Sequence, residues 1–132
     1  VEISVEKVSK MKGIKRVGLM STTGTLISGI YQKTFEKKGI EVITPGEEDQ
    51  EPLMTFIYDI KAGKPVEEKV FFDIYKKLLQ ETDIILTTCT ELSVHVAHHI
   101  YENLLDALEI TTDKILKDLK VPLREGISHG HP

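Results

Sequence analysis

Cys89 is the single cysteine of a 132-residue chain and the side chain with the widest choice of chemistry. It closes the apolar run of residues 83–89 (DIILTTC) and precedes Thr90, Glu91 and Leu92, where a helix is expected to start. A thiol is thereby predicted at the carboxyl end of a strand and the N-terminus of a helix. The free N–H groups and partial positive charge there favour a thiolate, lowering a pKa that begins near about 8.5. Such a group can remove a proton from carbon, attack as a nucleophile, or return a proton as a thiol. The plain alternative is a buried, inert, small hydrophobe, the commoner fate of a lone cysteine.

Residues 21–25 (STTGT) form the second chemically loaded segment. A hydroxyl-rich turn with Gly24, leading into a helix, can offer backbone N–H groups to a carboxylate or phosphate. The same residues also make ordinary turns and N-caps. No Lys follows the glycine, so this is not a P-loop. It looks like the phosphate loop of flavodoxins, but the chain has no Trp to sandwich a flavin. Lys61, in the run IKAGK, could place an ammonium near an anionic ligand; taken alone it is an ordinary solvated helix end. His95, His98 and His99 have a spacing that puts two imidazoles on one helix face. No acidic or Cys ligand is spaced with them, and no metal site is assigned.

The elements that must position these residues follow from periodicity. Residues 16–21 (RVGLMS) and 41–44 (EVIT) read as strands, 83–89 as the strongest strand, and 104–108 as a short fourth. Ile27, Ile30, Tyr31 and Phe35 mark one helical face, ended by Gly39. Leu53, Phe56, Ile57 and Ile60 mark a second, after an acidic loop at 46–51, closed by Gly63 and Pro65. Residues 67–80 give a third helix; Leu92, Val96 and Ile100 start a fourth. Residues 112–120 give the last, with Thr111 or Thr112 near its N-cap. The alternation predicts an α/β fold, a three-layer sandwich around a parallel four-stranded sheet. Residues 1–120 are expected to form one domain and 121–132 a tail containing His129 and His131. Ligands on such sheets bind beyond the carboxyl ends of the strands, and both loaded loops fall on that edge.

The 17 Lys+Arg against 21 Asp+Glu, a net charge of −4, give no reason to expect a nucleic-acid or anionic-membrane partner. Hydrophobic content of 40% with 29% charged residues suits a globular chain. No apolar run approaches the roughly 18 residues of a spanning helix, and no signal segment opens the chain. One cysteine excludes an intrachain disulfide framework and a Cys-rich zinc or iron–sulfur site. A cytoplasmic location, where a lone thiol stays reduced, is the expectation.

Residues 17–25 (VGLMSTTGT), Tyr31, 39–45 (GIEVITP), 57–63 (IYDIKAG) and above all 89–92 (CTEL) resemble the second half of the aspartate/glutamate racemase superfamily. The likeness runs in order from about Ile14 to Thr112. The usual residues before this cysteine are Leu-Gly, where Thr87 and Thr88 stand here. The resemblance implies a flavodoxin-like half of a two-domain fold and a racemase independent of pyridoxal phosphate, with no cofactor. In that family two thiols on opposite faces of the substrate Cα remove and return the α-proton. By likeness Cys89 would be one of them. Gly24 and Thr25 would bind substrate and Thr90 would lie beside the thiol. Lys61 would pair with a carboxylate, favouring a dicarboxylic amino acid such as aspartate.

The first half and its cysteine are missing from this chain. Val1 in place of Met fits a piece of a longer racemase. A half-size protein whose homodimer rebuilds the cleft is the second explanation, and a degenerate remnant the third. Two other functions stay open: a single-cysteine decarboxylase of the same superfamily, and a non-catalytic, anion-binding flavodoxin-like module.

Overall fold

The apolar runs seen in the sequence become the strands of one parallel sheet in the computed structural model, which describes residues 1–119. Strands β1 (Arg16–Met20), β2 (Glu41–Ile43), β3 (Ile84–Thr87) and β4 (Leu104–Asp106) lie in the order β2-β1-β3-β4. Register pairs Val17 with Val42, Gly18 with Ile85, Met20 with Thr87, and Thr87 with Asp106. The two central strands are covered on both faces: β3 is buried throughout and β1 from Val17 onward. Full burial explains why their sequences run nearly continuously apolar instead of alternating.

The two-residue pleat divides the core. Val17, Leu19, Ile84 and Leu86 pack with Val5, Val8, Phe35 and Ile110 on one face, whereas Met20 and Ile85 join Leu53, Phe56, Phe71, Leu78 and Leu92 on the other. The first layer comprises α1 (Glu2–Ser9), α3 (Ile30–Glu36) and α7 (Ala107–Asp118); the second comprises α4 (Glu47–Lys61), α5 (Glu68–Leu79) and α6 (Thr90–Ala97). A short α2 (Thr23–Ser28) leaves the end of β1. This is the three-layer α/β sandwich the pattern predicts. The chain moves outward from β1 to β2, then crosses to β3 and β4 on the other side. The carboxyl ends of β1 and β3 therefore flank the switch-point crevice of the sheet.

Several element boundaries differ from expectation. Helix α1 lies where no element was expected, and supplies Val5 and Val8 to the core. The helix expected through Ile27–Phe35 is two helices, because Gly29 adopts a left-handed conformation (φ +69°). Tyr31 and Phe35 are buried as the spacing demands, but Ile27 is 79% exposed. Residues 47–49 of the expected acidic loop are already the first turn of α4, where Glu47, Glu48 and Asp49 oppose the positive helix end. Helix α6 stops at Ala97, leaving Ile100 98% exposed despite its helical spacing. Helix α7 begins directly after β4 and not at Thr112. Asp106 is its N-cap, accepting a hydrogen bond from the Glu109 N–H at 3.2 Å. The expected tail, including His129 and His131, lies outside the described residues.

Candidate active site

Strand β3 delivers Cys89 to the carboxyl edge, where it caps α6 in an extended conformation (φ −107°, ψ 152°). Its Sγ accepts a hydrogen bond from the Leu92 N–H at 3.4 Å. The helix N-terminus acts on the thiol in the expected direction, through the backbone N–H groups of Leu92 and Glu91. The expected lowering of the pKa is nevertheless overturned. Burial is the largest influence and pushes the thiol up, and the charges of Glu91 and Asp106 push the same way. Cys89 is held as a thiol at neutral pH.

Across the crevice, Thr22 caps α2 and accepts from the Thr25 N–H at 3.3 Å; the two hydroxyls lie 3.0 Å apart. Gly24 is exposed, and a Cβ built on it would meet nothing within 4 Å. The loop therefore opens toward solvent. The two loops are joined at their base, where the Thr88 N–H donates to Met20 O at 3.3 Å. Gln50 of α4 closes one side by donating from Nε2 to Ser21 O at 2.9 Å and to Thr23 Oγ1 at 3.2 Å.

Three polar atoms around this junction, Ser21 Oγ, Thr88 Oγ1 and Gln50 Oε1, are buried without a partner among the described residues. A buried polar group left without a partner costs about 1–3 kcal/mol. Gln50 had no signal in the sequence beyond its place in an acidic run. Ser21 and Thr88 lay inside the quoted runs 21–25 and 83–89.

Thr90, the first residue of α6, is exposed beside Cys89. Lys61 is exposed in the last turn of α4 and makes no hydrogen bond or ion pair with a described side chain. From Gln50 to Lys61 the helix rises about 16 Å, so Lys61 stands apart from the junction that Gln50 seals.

The histidines behave unequally. His95 is buried against Phe56 and Phe71, with ring centroids 5.0 and 4.9 Å away, and stacks on His99 at 4.2 Å. Tyr101 Oη donates to Glu68 Oε2 at 2.7 Å and lies 2.8 Å from His95 Nε2, which in the matching tautomer donates to it. Burial, followed by the neighbouring His99, lowers the His95 pKa to about 4. Burial and the Glu68 carboxylate push the Tyr101 phenol upward. Among the described residues no three His, Cys, Asp or Glu side chains gather closely enough to hold a metal ion, and no helix is long and apolar enough to cross a membrane.

A groove of about 370 Å³ lies between α4 and the start of α5 and is lined by Glu51, Thr55, Asp59 and Glu67 among others. None of the candidate residues borders it. Among the described residues at this edge, Gly24 and Thr90 are exposed and Cys89 is half-buried.

The pattern of the Asp/Glu/hydantoin racemase family matches residues 1–115. The chain belongs to that family. Two solved structures share the architecture. An aspartate racemase from Picrophilus torridus superposes with a TM-score of 0.78 at 24% identity, covering 97% of this chain and 55% of that one; at this identity the likeness shows the fold alone. An aspartate racemase homologue from Pyrococcus horikoshii OT3 gives 0.72 at 27% identity, covering 90% and 55%. A protein of the pnlA 3′ region in Pectobacterium carotovorum subsp. carotovorum is 28% identical over 107 residues, 80% of this chain and 71% of its own length. This racemase-family chain spans about half the length of the two solved structures.

Proposed function

We propose that this chain supplies one side of an amino-acid racemase site of the aspartate/glutamate type, with Cys89 as a catalytic acid–base thiol and no pyridoxal phosphate. The observation that carries this reading is the placement of Cys89 at the N-terminus of α6, on the same switch-point edge of the sheet as the STTGT loop. Racemisation needs a base on one face of Cα and an acid on the other. The α-proton passes to a thiolate on one face. The electron pair left on Cα then takes the proton of the opposite thiol, whose sulfur keeps the negative charge. Burial of Cys89 suits it to begin as the proton donor. Gly24, Thr25 and Thr90 would hold the substrate beside it; Lys61, about 16 Å along α4 from Gln50, is left out of this set.

The opposite thiol must come from outside this chain, because its sequence holds one cysteine. A first half like that of the solved relatives, of which this chain covers 55%, would be its source; a second copy of the chain is the other arrangement. Covering the edge would also exclude water and give the developing carbanion fixed donors in a dry cleft. We place the reaction in the cytoplasm, where the thiol stays reduced.

The test is α-hydrogen exchange in D2O, with L-aspartate or L-glutamate and the chain both alone and joined to a family first half. Cα–H signal should be lost from the substrate, and Cys89→Ala should abolish the loss. No exchange in either assembly would overturn the reading. A second reading, a single-thiol decarboxylase, is favoured by the protonated state of Cys89, since one thiol suffices to protonate a carbanion left by loss of carbon dioxide. It predicts carbon dioxide release from a malonate-type acid without any second cysteine.

A further inference from the structure

Asp106 ends β4 directly beside Thr87, its register partner on β3, and is only 7% exposed. Its Oδ1 accepts from Thr87 Oγ1 at 2.7 Å and from Ser93 Oγ at 2.8 Å, and its Oδ2 from the Glu109 N–H at 3.2 Å. Thr87 is two residues before Cys89 and Ser93 four residues after it. We propose that Asp106 is a positioning residue for Cys89, its one carboxylate clamping both flanks of the turn that carries the thiol and presenting a fixed negative charge to it. The proposal rests on the reading of Cys89 as the proton-transferring group.

The direction of the hydrogen bonds supports the clamp. Ser93 Oγ also lies 3.1 Å from Cys89 O, a carbonyl that already accepts from the Ser93 N–H at 3.0 Å. A hydroxyl has one proton and a carboxylate is acceptor-only, so the shorter, charge-assisted bond to Asp106 takes it. The Thr87 hydroxyl likewise sits closer to Asp106 than to Leu105 O, at 2.7 against 3.4 Å. An apolar side chain at position 87 would offer no such donor. Two charged groups act on the thiol: Glu91, on its own helix, and Asp106, from the neighbouring strand. Both oppose the thiolate, so the carboxylate that fixes the turn acts on the thiol in the same direction as burial, the largest influence.

Alkylation by iodoacetamide reads this out on the chain's only thiol, independently of any substrate. Rates would be followed by intact mass between about pH 6 and 10.5 in wild type, Asp106→Asn, Ser93→Ala and Thr87→Val. Removing the charge should move the titration midpoint downward and speed alkylation at pH 7.5 about three-fold or more. Ser93→Ala and Thr87→Val keep the charge and free the turn. They should leave the midpoint in place and raise the high-pH plateau rate. A wild-type profile in Asp106→Asn would overturn the proposal, as would an equal midpoint shift in the two hydroxyl variants, which would trace the effect to loosening alone. If Asp106→Asn does not fold, unchanged plateaus in both hydroxyl variants overturn the clamp. Absent α-hydrogen exchange with these alkylation profiles intact would instead remove the racemase reading.

Discussion

The thiol of Cys89 lies between the N–H of Leu92, which favours its charged form, and the packing around it, which disfavours that form. Burial wins because the backbone hydrogen bonds, that from Leu92 being 3.4 Å long, are a weak offset for lost hydration. Alkylation of the isolated chain should therefore be slower than that of a free thiol at pH 7.5, and should keep rising above the ordinary thiol range. A rate that levels off below pH 8 would contradict the burial argument. His95 gives a second prediction. Its folded pKa of about 4 lies below the ordinary value of about 6.5, so the unfolded chain binds a proton first as the pH falls. The stability from neutral His95 is complete above about pH 6.5 and is lost as the pH drops toward 4, by about 2 kcal/mol at most between pH 7 and 5. Urea midpoints should fall over that interval, and His95→Gln should flatten the fall.

Strands were legible as elements because a parallel strand buried on both faces must be apolar at nearly every position, as in residues 84–86. Helix limits were not, because spacing records which residues are apolar and not what covers them. Ile100 has the correct interval from Val96 but nothing packs on it. Thr111 and Thr112 resemble caps, yet Asp106 has already taken that role with Glu109 three residues on, a capping-box spacing. Gly18 shows what the sheet requires of β1. A Cβ there would lie 2.5 Å from Ile85 Cδ1 and 2.8 Å from Leu78 Cγ, so α5 approaches the sheet only over a glycine. Gly18→Ala should lower stability by about 1–3 kcal/mol, read from urea unfolding, through overpacking. A variant as stable as wild type would mean that α5 can shift outward at no cost.

For the whole molecule, the exposed apolar side chains beside the carboxyl edge stand out among the described residues. Ile27, Val94 and Leu108, each in the first two turns of a helix leaving β1, β3 or β4, are 79%, 57% and 50% exposed. In the proposed two-half arrangement these side chains rim the covered cleft. Ile27→Asp and Val94→Asp should then change the stability of the isolated chain by no more than about 0.5 kcal/mol. Both should weaken its association with a first half or a second copy, measured by sedimentation. If a second copy completes the site, a short bis-maleimide should join the two Cys89 thiols in high yield. Failure to cross-link in a stable dimer would exclude that arrangement.

The sequence by itself determined the family, the parallel strands and the meeting of STTGT and CTEL on one edge. Those features depend on local composition and on the rule that successive parallel strands present the same end. Only the tertiary structure decided the state of the thiol and its company. Asp106 is 17 residues from Cys89 in the chain and Gln50 is 29 from Ser21. Burial and electrostatics depend on such neighbours across strands, and no spacing along the chain encodes them.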